Sequence, residues 1–291
     1  MRTALGMAAL VGVTVAMTAP GVQAAQATVS LDIRANAHSY DKSQDTSFSQ
    51  SQTVGPLVRH AVAHAVDGPN GAHSDADFVA SADFGNLSVV GSADADYGGA
   101  YGSATALFSY VTGGAPNAKF TDRIFVSDAG LSAGAPISLR LSQSLAATAS
   151  SSPDSGLFGS NHVYSDLSYL ISTASIWNSV PELGLALGNF VGPSSVVISV
   201  PNGAFVDIVG TLSAAIYVYS PSVPGLAQGD ANGHMLTQID VLTDGASFAS
   251  SSGAFYAHSP VPEPGAALMM LAGLVLLVGS GRRAAGTTLR K

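Results

Sequence analysis

The chain has 291 residues, of which only 10% are charged, with 19 acidic against 11 basic side chains and a formal net charge of −8. Between residues 25 and 260 the imbalance widens to 18 acidic against six basic residues, a net charge of −12, and no Lys or Arg falls between Arg140 and Arg282. So acidic a body speaks against nucleic acid as a partner and against docking on anionic lipid, and a chain without cysteine has neither disulfides nor thiolate metal sites.

In chain order, the first predicted element is an export signal. Arg2 supplies a positive start, residues 4–17 an apolar stretch, and Pro20-Gly21 a break. The small residues Val22 and Ala24 then stand three places and one place before a cut that leaves Ala25 as the new N-terminus. A cut after Ala27, or an uncleaved anchor, is the alternative.

The body, residues 25–260, is long enough for one large β domain or two small ones. Segments 87–95, 101–111, 119–127, 137–145, 162–177, 195–200, 204–219, 235–242 and 247–256 alternate as strands. Clusters such as Gly98-Gly99, Gly113-Gly114, Pro201-Asn202-Gly203, residues 221–229 and Asp244-Gly245 supply turn chemistry between them. Evenly spaced short strands without a helical period predict an all-β, antiparallel β-sandwich. Residues 179–192 are ambiguous, because Leu183, Leu185 and Leu187 alternate while Ser179 and Pro181 would suit the start of a short helix.

Several chemical patterns occur along this body. Ser39-Tyr40-Asp41-Lys42 spells S-x-x-K without the companion motifs of the enzymes that use it. His60 and His64 share a face of either a helix or a strand, with His73 nearby, but no glutamate sits between them and no third ligand can be assigned. Asp75 with Asp77, and Asp94 with Asp96, place paired carboxylates about 7 Å apart on a strand face. Gly130-Leu131-Ser132-Ala133-Gly134 matches the serine-hydrolase pattern, but alternation on both sides predicts a hairpin turn instead of a strand-to-helix elbow. Asp230-Ala231-Asn232-Gly233 has the look of a calcium-loop fragment that lacks its closing glutamate, and reads as an Asx turn. Trp177 is the single tryptophan, too little for an aromatic sugar platform. No catalytic residue, metal ligand or cofactor is assigned on these grounds.

The last 31 residues form a second address. Val261-Pro262-Glu263-Pro264 precedes an uncharged run over residues 265–281, and Arg282-Arg283 follow. Seventeen residues make about 25 Å of helix, the short end of what a bilayer core needs, so the run predicts a transmembrane helix. The two arginines keep their side cytoplasmic, and the two prolines stop the helix from growing back into the body. The three parts in this order resemble the PEP-CTERM sorting signal of bacterial exported proteins, with the departure that eight residues follow Arg283. The resemblance implies a substrate of exosortase, an integral-membrane cysteine transpeptidase that cuts near the motif, in biofilm-forming Gram-negative bacteria with exopolysaccharide systems. The body is similar to ectodomains carried by other such proteins over residues 80–87, 120–124, 130–136 and 251–256. No activity comes with those strips.

The sequence therefore predicts a signal peptide over 1–24, a β-rich ectodomain over 25–260 and a sorting signal over 261–291. Its expected partners are signal peptidase, exosortase, the inner membrane in transit and exopolysaccharide. The expected destination is the cell surface or extracellular matrix, where the protein would serve without enzymatic activity. A carbohydrate- or calcium-binding adhesive module is the second reading and a secreted hydrolase the third.

Overall fold

The structure is a computed structural model and describes residues 27–39, 42–67, 72–96, 108–112, 117–152, 158–221 and 226–256. The first five strands are β1 (Thr28–Ser39), β2 (Lys42–Gln52), β3 (Leu57–Asp67), β4 (Ala72–Asp83) and β5 (Asn86–Asp96). Next come β6 (Phe108–Thr112), β7 (Asn117–Ser127), β8 (Pro136–Ser152), β9 (Phe158–Ile171) and β10 (Asn178–Leu185). The last four are β11 (Gly188–Pro201), β12 (Phe205–Pro221), β13 (Leu226–Val241) and β14 (Ser247–Ser250). All pairings are antiparallel, in two sheets.

One sheet runs β10-β9-β12, then β6 and β7 in one line, then β1 and β2, with β14 on the free edge of β7. The other runs β11-β8-β13-β5-β4-β3. The inner faces meet strand over strand, β12 on β13 and β1 on β3 and β4. Connections that switch sheets lie at both edges, from β2 to β3 and from β10 to β11.

Alternation drives this arrangement, because successive side chains on a strand point to opposite faces. In β1 the inner set is Val29, Leu31, Ile33, Ala35 and Ala37, and in β12 it is Val206, Ile208, Leu212, Ala214, Ile216 and Val218, all buried. Two glycines in the core have a packing reason. A Cβ on Gly91 would lie 2.5 Å from the ring of its cross-strand partner Phe78, and one on Gly210 would overlap the ring of its partner Phe120. Each phenylalanine thus fills the space over a facing glycine. Buried polar side chains tie strands together: Ser74 Oγ donates to His38 O at 2.9 Å, Gln143 Nε2 to Pro181 O at 2.8 Å, and Asn161 Nδ2 to Ser150 O.

The all-β class and the antiparallel sheets expected from the sequence are present, with several corrections of detail. Residues 28–83 form four strands that alternation had not delimited. Segment 179–192 is β10 and the start of β11, with no helix. The stretch 226–233, expected as turn, is the first half of β13, because its inner positions are Ala227, Gly229, Ala231 and Gly233 and the opposite sheet fills the room above them. The strand expected over 162–177 stops at Ile171, and the one over 247–256 stops at Ser250.

Candidate functional site

Asp122 occupies an inward position of β7 between Phe120 and Ile124, where alternation calls for an apolar side chain, and it is only 4% exposed. A buried carboxylate is costly unless its oxygens are satisfied. The chain end supplies the donors. Oδ2 accepts from Ser250 Oγ at 2.6 Å, Ser252 Oγ at 2.6 Å and Tyr256 Oη at 2.7 Å. Oδ1 accepts from Ser251 Oγ and the Arg123 N–H, both at 2.7 Å, and from the Ser252 N–H at 3.2 Å. Burial alone would raise the pKa of Asp122, but the hydroxyls of Ser250, Ser252, Ser251 and Tyr256 outweigh it and hold the group below its ordinary value. Burial, and then the Asp122 charge, push the Tyr256 phenol far up.

The ring of Tyr256 lies against Phe120 and Phe248, at 6.2 and 6.4 Å between centroids, and against Gly85, whose φ of 76° suits glycine. Gly85 O in turn accepts from the Thr237 N–H at 2.7 Å. The segment after β14 is therefore a latch that closes this end of the sandwich. It unites three of the strips singled out in the sequence, 120–124 and 251–256 through hydrogen bonds and 80–87 through the packing of Gly85 against the Tyr256 ring. A shallow cavity of about 320 Å³ lies beside it, lined in part by Gly55, Asp83, Phe84, Gly253 and Phe255.

The opposite end carries a different constellation on the outer face of the six-stranded sheet. The register pairs His64 with Asp75 across β3 and β4, and Asp75 with Asp94 across β4 and β5. His64 Nδ1 contacts Asp75 Oδ1, His73 Nε2 lies 3.5 Å from Asp94 Oδ2, and His60 Nε2 lies 2.7 Å from Asp77 Oδ1. Donor atoms of His73, Asp75 and Asp94 all fall within 4.8 Å of one another. Burial, then the facing Asp75 carboxylate, raise the pKa of Asp94 against the pull of His73 and His64, and Asp96 adds to the rise. The histidines and acid pairs, separate patterns in the sequence, are thus one band.

The other patterns come apart. Ser132 is exposed in the turn 128–135, which does not join a hairpin: it carries the chain from β7 in one sheet to β8 in the other. Asn202 holds that turn, with Nδ2 donating to Asp128 O and Leu131 O, both at 2.9 Å. Ser39 and Lys42 are register partners across the β1–β2 hairpin, with Ser39 buried and Lys42 exposed. Asp230 and Asn232 lie on the outer face of β13, bonded to Ser150 and Thr148, so the expected Asx turn is a regular strand. Trp177 is half-exposed in the turn between β9 and β10.

The signal-peptidase residues Val22, Ala24 and Ala25, the motif Val261, Pro262, Glu263 and Pro264, and the basic pair Arg282 and Arg283 lie outside the described residues. Among the described residues no helix is long and apolar enough to cross a membrane.

No protein-family model matches the chain, and no curated protein matches it. Among solved structures it is similar to the enzymatically active domain of tailspike protein 4 of bacteriophage CBA120, at 12% identity and a TM-score of 0.23. The match covers 64% of this chain and 19% of the tailspike chain, a similarity too distant to carry an argument about fold or activity.

Proposed function

We propose that the protein is an exported, non-enzymatic surface or matrix protein, released from the membrane by exosortase and associated with exopolysaccharide. The observation that supports this reading best is the latch. Tyr256, the last described residue, is buried at 1% exposure, and its phenol caps Asp122, so every residue that closes the latch precedes Val261. A cut in the Pro-Glu-Pro strip would leave the sandwich whole.

The other end of the described chain supports the same geometry. Thr28 pairs with Thr121 beside Asp122, with Thr28 Oγ1 and Thr121 Oγ1 2.6 Å apart, so both ends of the described chain lie at the latch end. Signal peptide and sorting segment would then both hold that end toward the membrane. The histidine–aspartate band would face outward, with Asp75 eight residues, or about 26 Å, up β4 from Asp83.

The test replaces Pro262, Glu263 and Pro264 together by alanine in a host that expresses exosortase. The variant should stay in the membrane fraction at full length while the wild type is released. Release of the triple variant in wild-type amount would overturn the reading.

A further inference from the structure

We propose that His73, Asp75 and Asp94, steadied by His64, bind a divalent first-row transition cation, zinc foremost, on the outer face of β3, β4 and β5. The proposal does not depend on the export reading. Its first support is convergence: one imidazole nitrogen and two carboxylates from adjacent strands of one sheet bring donor atoms within 4.8 Å of one another. Zinc takes nitrogen at about 2.0–2.1 Å and carboxylate oxygen at about 2.0–2.2 Å, so drawing the three donors onto one ion needs only small side-chain rotations. The side chains have that freedom, at 35% exposure for His73 and 31% for Asp94.

The second support is charge. Asp75 and Asp94 face each other directly across β4 and β5, with Asp96 two residues on and Asp230 on β13 alongside. None of β4, β5 and β13 contains a Lys or Arg. The His64 and His73 imidazoles stand against this crowding of like charge, in contact with Asp75 and 3.5 Å from Asp94 respectively. A bound dication would relieve the repulsion and use the imidazole as a ligand.

The donor set also selects the ion. Calcium takes six to eight oxygen ligands, whereas imidazole with carboxylate suits zinc and its neighbours. Three protein ligands leave a coordination position for water or a partner's donor. His64, in contact with Asp75, fixes the orientation of that carboxylate as outer partners of metal ligands do. The His60–Asp77 pair on the same face offers only two donors and serves as an internal control.

The test is zinc titration of the purified full-length chain by calorimetry, with thermal melting in parallel. The wild type should bind one zinc and melt higher with it. His64→Ala should weaken binding about tenfold, and His73→Ala or Asp94→Asn more than that. His60→Ala should bind as the wild type does. Cobalt bound to the unmodified chain should give a visible absorption band that zinc abolishes, a readout independent of any variant. A wild type that binds no zinc, or a His73→Ala/Asp94→Asn chain that binds it as tightly as the wild type, would overturn the proposal.

Discussion

At the scale of single residues, Asp122 decides how the domain ends. A charged acceptor that meets three serine hydroxyls, a tyrosine and two backbone N–H groups strands several donors when it is removed. Asp122→Ala should cost about 3 kcal/mol or more in denaturant unfolding, and Tyr256→Phe, which loses one bond to a charged group, about 1.5–3 kcal/mol. The sign of the pH effect follows from the lowered pKa. The contribution of Asp122 is fully present above the unfolded aspartate value of about 3.9 and is lost as pH falls through the lower folded value. Melting followed from pH 7 down to pH 2 should show a steeper acid drop for the wild type than for Asp122→Asn. Equal drops would mean that Asp122 carries no linked proton. The sequence alone did not single out Asp122: an aspartate at an inward position of a strand is an anomaly that alternation could reveal, but its side-chain donors lie 128 or more residues away, and only the folded chain brings them together.

At the scale of elements, the interior shows why some strands could be read and others could not. Strands β8 and β12 carry Ile, Leu and Val on one face, and alternation exposes them directly. In β3 and β4 the inner positions are mostly alanine, among them Ala61, Ala63, Ala65, Ala76, Ala80 and Ala82, which has low strand preference, so the period is faint. Strand β2 is a mostly exposed Ser/Gln-rich edge with no buried face at all. Early β13 resembled a turn because the glycines that admit Val163 and Asn161 from the facing sheet are also turn residues. These glycines are open to test. Gly210→Ala should destabilise by about 1–3 kcal/mol through overlap with Phe120. Combining it with Phe120→Leu should recover part of that loss, a coupling that a double-mutant cycle measures. Strict additivity would show that the ring does not occupy the space over Gly210.

At the scale of the whole molecule, two ends do different work. The latch end gathers Thr28, Asp122 and Tyr256, so both ends of the described chain meet there, while the histidine–aspartate band stands at the far end of β4 and β5. The two proposed addresses rest on short-range patterns of charge, apolarity and proline in residues outside those described. The sequence left the band as separate histidines and aspartates, since His64, Asp75 and Asp94 become neighbours only through the pairing of three strands. The central claim is that this closed sandwich is exported and cut just beyond its latch. Mass spectrometry of the protein recovered from the cell exterior tests it most directly. The account predicts peptides through Tyr256 and a C-terminus no later than Pro264. Exterior, matrix-associated protein that still carries residues 282–291 would contradict it.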